Sequence, residues 1–467
     1  MKNLLPKILT TLLSLSLTPL FGQEYPRGAI LDPALYQQTE AAPVLLTRNL
    51  IPRAFSLKNY APFPESQGNY GTCTGWAAAF AARTISESIV LGRTNREQSS
   101  NATFSPIYVY KNISNDPNGA SGTVIPHALA LMKNSGAVKR LPAEKTMAFK
   151  DISISMYNGQ RRFPIAGWTR LFDNPWGRPG TISERVVPVK QNLAKRKPVI
   201  IGMNTPKSFN SAKDIWRPAE SESPNNKYGG HAMCVVGYDD DYHGGAFEIQ
   251  NSWGTNYGKG GYIWISYGDF AAFVAEAYVI AENLLLYNDA ARYAASIEIE
   301  VFEQKGGMPV SLENDSFYKT REDYAAGTTF RFLMTNRHRA YVHAFSADNK
   351  KPGTVRIHPL PGTTGAMDYG TATSIAWPGE KEWMRLDDVS GTDYLVVLFS
   401  KEKLDIDAIE RRFAKEAGNF SERVARAVGP DFIPYSQVKY DRNKIDFSAN
   451  SNNPKAVFGL LLAIGHK

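Results

Sequence analysis

Residues 67–82 read QGNYGTCTGWAAAFAA, a glycine-rich turn that leads through Cys73 into an alanine-rich helical run. A thiol at the N-terminus of a helix lies near the positive end of the helix dipole and near unpaired N–H groups, which favour the nucleophilic thiolate. The helical run is apolar on nearly all sides, so it is predicted to be a buried helix that holds its first residue rigidly. This stretch therefore predicts a central helix with a reactive cysteine at its start.

A later part of the chain supplies the groups that complete a reaction at a thiolate. The leaving amine must be protonated by a nearby acid, most often an imidazolium. Among the seven histidines, His231 is the best placed, because it opens a hydrophobic strand. The next strand, 247–254, returns through a glycine hairpin and brings Asn251 beside His231. An amide oxygen there can accept the imidazole N–H and fix its orientation, and Trp253 would shield that bond from water.

These residues resemble the papain-like cysteine peptidases in order and in spacing. Three blocks carry the resemblance: Gln67 six residues before Cys73, Gly-His-Ala at 230–232, and Asn251-Ser-Trp-Gly254. The resemblance implies an α+β fold of two lobes, a helical lobe with the cysteine and an antiparallel β lobe with the histidine and the asparagine, and a site in the cleft between them. The chain is identified as a bacterial-type member with an appended β-rich domain.

The resemblance also implies a role for each site residue. Cys73 attacks the scissile carbonyl to form an acyl-enzyme, and His231 holds the thiol proton and passes it to the leaving amine. Asn251 orients His231, and Trp253 covers the bond between them. Gln67 donates its side-chain N–H to the oxyanion, together with the backbone N–H of Cys73. No metal or organic cofactor is needed, and no cluster of His, Cys and Asp has metal-ligand spacing.

Two departures from the family pattern surround the nucleophile. Tyr70 stands where the family usually has a disulfide cysteine, so packing by Tyr70 must replace that brace. Tryptophan usually follows the nucleophile directly, whereas Thr74-Gly75 precede Trp76 here, so the first helical turn is expected to differ.

The N-terminus has the pattern of a signal peptide. Lys2 and Lys7 precede an apolar run, 8–21. At about 14 residues, this run is shorter than the roughly 20 residues that cross a bilayer as a helix. We therefore predict export to the periplasm, the medium or the cell surface, without a stable membrane anchor. The predicted units are a signal peptide at 1–23, an extended N-terminal segment at 24–50, a peptidase domain at 51–285 and a β-rich domain of unknown function at 286–467.

The last of these units alternates strand-like runs with turn signals. The runs lie at 296–302, 328–334, 341–347, 354–358 and 394–400. One helix is predicted between Leu404 and Ala427, where Ile406, Ile409 and Phe413 recur at helical spacing. No activity is assigned to this domain, and its position after the catalytic residues motivates only a hypothesis of targeting or substrate presentation.

Composition excludes two classes of protein. With two cysteines in the chain, a disulfide scaffold is excluded by count, and Cys234 is predicted to be a buried, inert residue. The formal net charge is +8, but the basic clusters are short and no nucleic-acid motif accompanies them, so no nucleic-acid partner is expected. The predicted partners are peptide or protein substrates, and the oligomeric state is left open.

Two alternatives to an exported cysteine endopeptidase stay open. The same groups would also serve an acyltransferase that uses an amine in place of water, and the sequence does not separate the two reactions. The other alternative is a surface binding or interaction protein whose peptidase site is weak or inactive. The complete set of Gln67, Cys73, His231 and Asn251 argues against this second alternative.

Overall fold

The computed structural model describes residues 24–42, 51–173, 180–287, 290–302, 306–314, 316–348, 353–359, 367–369, 373–379 and 382–467. The predicted signal peptide, 1–23, and residues 43–50 lie outside the described residues. Helices and mainly antiparallel sheets make up the described part, so the predicted α+β class is confirmed. The predicted domain boundaries stay predictions.

The described α-helices are short and lie mostly in the first part of the chain. They are α1 Pro33–Gln38, α2 Cys73–Gly75, α3 Thr84–Val90, α4 Arg96–Asn101, α5 Pro106–Ile113, α6 Ile125–Asn134, α7 Ile182–Ala194, α8 Tyr267–Phe273, α9 Ile406–Lys415 and α10 Phe420–Val428. A π-helical segment, Trp76–Arg83, joins α2 to α3. We call the resulting continuous helix, residues 73–90, the central helix. None of the helices among the described residues is long and apolar enough to cross a membrane.

The central helix is buried from Cys73 to Ser88, which confirms the prediction from its alanine-rich sequence. Small side chains allow neighbouring elements to approach its backbone closely, and Gly75 is the extreme case. A Cβ atom on Gly75 would lie 2.3 Å from the carbonyl oxygen of Pro106 in α5. The π-helical geometry begins directly after this glycine, where the sequence departs from the family pattern. The first turn itself, Cys73–Gly75, is α-helical, so the expectation of an altered first turn stays a prediction.

The first sheet holds the strand that begins before His231. Its strand order is β2-β8-β3-β5-β6-β7-β4, and β1 pairs with β5. β5 is paired on both sides and buried on both faces, which explains why its sequence reads as a continuous apolar run. The strands are β1 Ala54–Ser56, β2 Gly167–Arg170, β3 Val199–Asn204, β4 Ile215–Trp216, β5 Gly230–Asp239, β6 Ala246–Gln250, β7 Tyr262–Ser266 and β8 Val274–Ala281.

Two further sheets build the C-terminal region, and one apolar core that includes residues of both lies between them. The second sheet has the order β10-β11-β21-β18-β13-β14 with β15 beside β13, and the third has the order β16-β12-β9-β20-β19 with β17 beside β12. The strands are β9 Ala291–Val301, β10 Val310–Glu313, β11 Phe317–Thr320, β12 Thr329–Asn336, β13 Ala340–Asp348, β14 Thr354–His358, β15 Met367–Tyr369, β16 Thr373–Trp377, β17 Met384–Arg385, β18 Gly391–Ser400, β19 Val438–Tyr440, β20 Ile445–Ser451 and β21 Phe458–His466. Each of the five predicted strand-like runs corresponds to one of these strands.

The single helix predicted between Leu404 and Ala427 is wrong in one respect, because the structure has two helices there, α9 and α10. The helix α9 ends at Lys415, Glu416 is extended with a ψ of 139°, and Gly418 follows in the connection with a φ of 106°. The side chain of Asn419 then caps α10 by accepting the Glu422 N–H at 2.9 Å. Both helices pack against the second sheet through a separate apolar cluster.

The N-terminal segment is extended only in part. Residues 24–32 contain no helix, and Ala29 forms β-bridges with Gly230 and with Thr123. The helix α1 follows, with Pro33 at its first position and the Asp32 carboxylate accepting two backbone N–H groups at 3.0 Å. The prediction of an extended segment over 24–50 therefore fails for residues 33–38, because a proline after a capping aspartate is a helix start.

Candidate active site

Cys73 is the first residue of the central helix and is 0% exposed. The backbone N–H of Ala232 donates toward Cys73 Sγ at 3.5 Å, although the two residues are 159 positions apart. This contact places the start of the central helix against β5, next to His231. The two parts of the chain that the sequence singles out for chemistry therefore meet in the structure.

His231 is held by the predicted partner. Its Nε2 lies 2.8 Å from Asn251 Oδ1, and that same oxygen accepts the backbone N–H of Ser252 at 2.7 Å. Because Oδ1 acts as an acceptor, His231 Nε2 carries the proton of the pair. His231 Nδ1 has no hydrogen-bond partner among the described residues. The arrangement thus leaves Nδ1 as the nitrogen able to exchange a proton with a neighbouring group.

Trp253 lies where the sequence predicts a shield. Its ring stacks on the imidazole of His231 with centroids 4.5 Å apart and planes 24° apart. Tyr25 stacks on Trp253 at 4.6 Å, so the tryptophan lies between an N-terminal side chain and the histidine. Trp253 therefore covers one face of the imidazole, and its role as a shield of the bond between His231 and Asn251 stays a prediction.

Gln67 is buried beside these groups, and its side chain is fixed at both ends. The Nε2 atom donates to Tyr70 O at 2.6 Å, and Oε1 accepts the hydroxyl of Ser252 at 2.6 Å. Ser252 is a residue that sequence reasoning missed, although it lies inside the Asn251-Ser-Trp-Gly254 block. Its hydroxyl holds Gln67 Oε1 while Nε2 donates to Tyr70 O, so it orients Gln67 much as Asn251 orients His231.

Residues 24–32, here called the covering segment, lie over the site. Ala29 N donates to Gly230 O at 3.0 Å, directly before His231, and Thr123 N donates to Gly28 O at 2.8 Å. Trp253 Nε1 donates to Pro26 O at 3.2 Å. The segment is therefore hydrogen-bonded to both sides of the cleft that contains Cys73.

Gly28 of the covering segment contacts the nucleophile. Its backbone N–H is among the groups that stabilise a negative charge on Cys73 Sγ. A Cβ atom at this position would lie 2.0 Å from the carbonyl oxygen of Gly71, so a residue with a side chain does not fit there. From its sequence this stretch is predicted only to be an extended lead-in, because a contact between residues so far apart leaves no local pattern.

Burial determines the protonation of the covered site. Desolvation raises the pKa of the Cys73 thiol to about 11, although backbone N–H groups, among them those of Ala232 and Gly28, act in the opposite direction. Desolvation also lowers the pKa of His231 to about 4, against the effect of its bond to Asn251. At neutral pH the covered site therefore holds a neutral thiol and a neutral imidazole. The expected thiolate is not favoured here, because the loss of water outweighs the backbone N–H groups that face Sγ.

Two other sequence predictions concern the surroundings of the site. Tyr70 stacks on Phe149 with centroids 4.6 Å apart, which supplies the packing expected in place of a disulfide. Cys234 is 0% exposed in β5, so its predicted burial is confirmed, and burial raises the pKa of its thiol, which disfavours the reactive thiolate. In the described part of the chain, His, Cys, Asp and Glu side chains form no group of three or more that would hold a metal ion.

Comparisons with known proteins address the region that contains the site. Residues 64–282 match the model of the "Papain family cysteine protease" family. An uncharacterised peptidase C1-like protein of Acanthamoeba polyphaga mimivirus is 24% identical over 262 residues, which are 51% of this chain and 75% of that protein. The family match ends before the two C-terminal sheets begin.

Solved structures of cysteine proteases are also similar to part of the chain. Xylellain, a cysteine protease from Xylella fastidiosa, is 23% identical, with a TM-score of 0.43 and coverage of 55% of this chain and 96% of its own. Digestive procathepsin L 3 of Tenebrio molitor larval midgut is 15% identical, with a TM-score of 0.40 and coverage of 55% and 75%.

Proposed function

The chain belongs to the papain family of cysteine proteases through residues 64–282, and on this premise we propose that it is an endopeptidase that hydrolyses peptide bonds through an acyl-enzyme on Cys73. The observation that carries the proposal is the bond of 2.8 Å between His231 Nε2 and Asn251 Oδ1 beside the thiol. That bond commits one imidazole nitrogen to orientation and leaves the other for proton transfer.

The first half of the proposed reaction breaks the peptide bond. His231 Nδ1 takes the proton of Cys73, and the thiolate sulfur attacks the carbonyl carbon of the substrate. The negative charge that develops on the carbonyl oxygen is stabilised by Gln67 Nε2 and by the backbone N–H of Cys73. The C–N bond then breaks, and the imidazolium gives its proton to the leaving amine.

The second half restores the enzyme. A water molecule attacks the thioester carbon while His231 Nδ1 takes one of its protons. The C–S bond breaks, the carboxylic acid leaves, and the proton returns to Cys73. Hydrolysis by this route consumes one water molecule per peptide bond, and an acyltransferase would use an amine at this step.

The position of the covering segment adds a condition to the proposal. Cys73 and His231 are each 0% exposed while residues 24–32 lie over them, so a substrate carbonyl has no path to the sulfur. We propose that this arrangement is a latent form and that the covering segment must leave the cleft before cleavage. Water then reaches the site, and the desolvation that disfavours the thiolate is relieved.

The cellular setting is a further part of the proposal. The apolar run at 8–21, preceded by Lys2 and Lys7, supports export of the protein. The bacterial type is proposed from the same sequence features as the family resemblance. The C-terminal sheets are proposed to assist targeting or substrate presentation, since they follow the catalytic region in the same chain.

Cleavage of a peptide mixture, followed by mass spectrometry, tests the proposed reaction. The wild-type chain is expected to release products with free carboxylates, and the variant Cys73→Ala is expected to release none. Amide products in the presence of an added amine, in preference to free acids, would indicate an acyltransferase. Absence of cleavage by both proteins, together with no labelling of Cys73 by thiol-reactive peptide probes, would favour the binding protein.

A further inference from the structure

Arg27, which precedes Gly28, extends its side chain toward acceptor groups outside the covering segment. Arg27 Nη2 donates to Asn210 Oδ1 at 3.0 Å and to Pro206 O at 3.2 Å. The carboxylates of Glu24, in the covering segment, and of Glu222 both attract the Arg27 guanidinium electrostatically. We call Pro206, Asn210 and Glu222 the acceptor pocket, because the first two accept hydrogen bonds from the guanidinium and the third attracts it by its charge.

The charge of this pocket is built into the fold. Ser208 N and Ala219 N each donate to the Glu222 carboxylate at 2.9 Å, and the hydroxyl of Ser208 donates to it as well. Partial burial opposes ionisation of Glu222, but these hydrogen bonds hold its pKa below the usual value. The pocket therefore keeps its negative charge at neutral pH without Arg27.

The pocket lies next to the reacting atoms. Arg27 precedes the residue that rests on Cys73, and its charge is close enough to His231 to oppose protonation of the imidazole. The stem of Arg27 passes Gly229, where a Cβ atom would lie 3.3 Å from Arg27 Cδ. When a chain lies in the cleft, the residue whose side chain enters the acceptor pocket is therefore next to the peptide bond that faces Cys73 Sγ.

When the covering segment leaves, the acceptor pocket becomes available to a substrate chain in the same cleft. A guanidinium pairs with the Pro206 and Asn210 oxygens and compensates the charge of Glu222, whereas an apolar side chain does neither and leaves the buried Pro206 carbonyl unpaired. Resting on the peptidase activity proposed above, we propose that the acceptor pocket selects substrates with arginine beside the scissile bond. Arg27 then occupies in the covered form the place that a substrate arginine takes during cleavage.

Matched peptides test this specificity in the full chain carrying Arg27→Ala, which empties the pocket. Each pair of peptides differs only by arginine against citrulline, a neutral residue of nearly the same shape, at one position near the scissile bond. At one position adjacent to that bond, kcat/KM is expected to be at least about 10-fold higher for arginine. Asn210→Ala and Glu222→Gln, each added to Arg27→Ala, should lower this ratio. Glu220→Gln, an exposed neighbouring carboxylate, is the control and should leave the ratio unchanged.

A second measurement tests the acceptor pocket in the covered form, with the side chain at position 27 in place. In the full chain, the rate of Cys73 alkylation by iodoacetamide reports how often the covering segment leaves, and it should increase from wild type to Arg27→Lys to Arg27→Gln. Equal cleavage of arginine and citrulline peptides, or equal alkylation of wild type and Arg27→Gln, would overturn the specificity while leaving the peptidase proposal intact. Failure to cleave any peptide, with no labelling of Cys73 by a peptide probe, would overturn both.

Discussion

His231 in the first sheet and His343 in the second sheet are alike in burial but differ in their surroundings. Burial lowers the pKa of His231 to about 4 and that of His343 to about 3. His231 has Asn251 as an orienting acceptor and lies next to a thiol, whereas both ring nitrogens of His343 lack hydrogen-bond partners within the described residues. A perturbed pKa therefore does not mark a catalytic histidine by itself, and the orienting partner and the adjacent nucleophile make the difference.

The largest expected effect is a direct test of this difference. His231→Ala should lower kcat/KM for peptide cleavage by about 10⁴-fold, because no other group takes the thiol proton. His343→Leu, which replaces a buried histidine far along the chain by an apolar residue, should leave kcat/KM within about 2-fold of wild type. Similar losses in both folded variants would contradict the assignment.

The next effect concerns the oxyanion. Gln67→Ala should lower kcat by about 10²–10³-fold, because a donor to the developing negative charge is removed. KM should change much less, since this interaction is made mainly in the transition state. An increase in KM with kcat unchanged would mean that Gln67 binds the substrate equally in the ground state and in the transition state.

A smaller loss of kcat is expected for Ser252, which contacts Gln67. Ser252→Ala removes the hydroxyl that orients Gln67, and kcat should fall by about 10-fold while the pH profile stays the same. Ser252→Thr keeps a hydroxyl and should restore part of the loss. If Gln67→Ala and Ser252→Ala had fully additive effects on kcat, the two residues would not act through each other.

The smallest expected effect is on stability and concerns His343. Its folded pKa of about 3 is below the unfolded value of 6.5, so the unfolded chain binds more protons between those pH values and stability is lost as the pH falls through this window. At pH 4.5 this loss amounts to about 3 kcal/mol relative to pH 8. Urea unfolding should show a smaller acid loss for His343→Leu than for wild type. An identical loss in both proteins would mean that His343 is hydrated or paired in the folded state.

Sequence could predict most of the candidate site, because the signals for it are local. The spacing between Gln67 and Cys73 lies within one turn and helix start, and the hairpin between β5 and β6 brings Asn251 to His231. The same holds for the buried central helix, whose composition is apolar on all sides. Roles for these residues stay predictions, but their positions follow from short-range pattern and strand pairing.

The rest depends on contacts that leave little local signal. The covering segment reaches Gly71, Thr123 and Gly230, and nothing in its own sequence identifies those partners. Asp32-Pro33 and Gly418-Asn419 are different, because both are recognisable helix signals that would have predicted α1 and the break between α9 and α10. The protonation of Cys73 depends on which segment excludes water from it, so the helix dipole alone gave the wrong expectation.

The central claim is that Cys73 is the nucleophile of a site that the covering segment closes. Gly28→Val tests it in the full chain, because a side chain at this position clashes with the Gly71 carbonyl and prevents the segment from seating. With the thiol pKa at about 11, wild type holds only about 10⁻⁴ of its Cys73 as thiolate at pH 7 and should react slowly with a peptidyl epoxide.

The deciding measurement is the rate and site of that labelling at pH 7, mapped by mass spectrometry. Gly28→Val is expected to be labelled on Cys73 at least about 100-fold faster than wild type, and the control Ile30→Val, an exposed residue of the same segment, should behave as wild type. Adding His231→Ala to Gly28→Val should abolish the gain. Labelling of Cys234 in place of Cys73, or equal rates for Gly28→Val and wild type, would contradict the account.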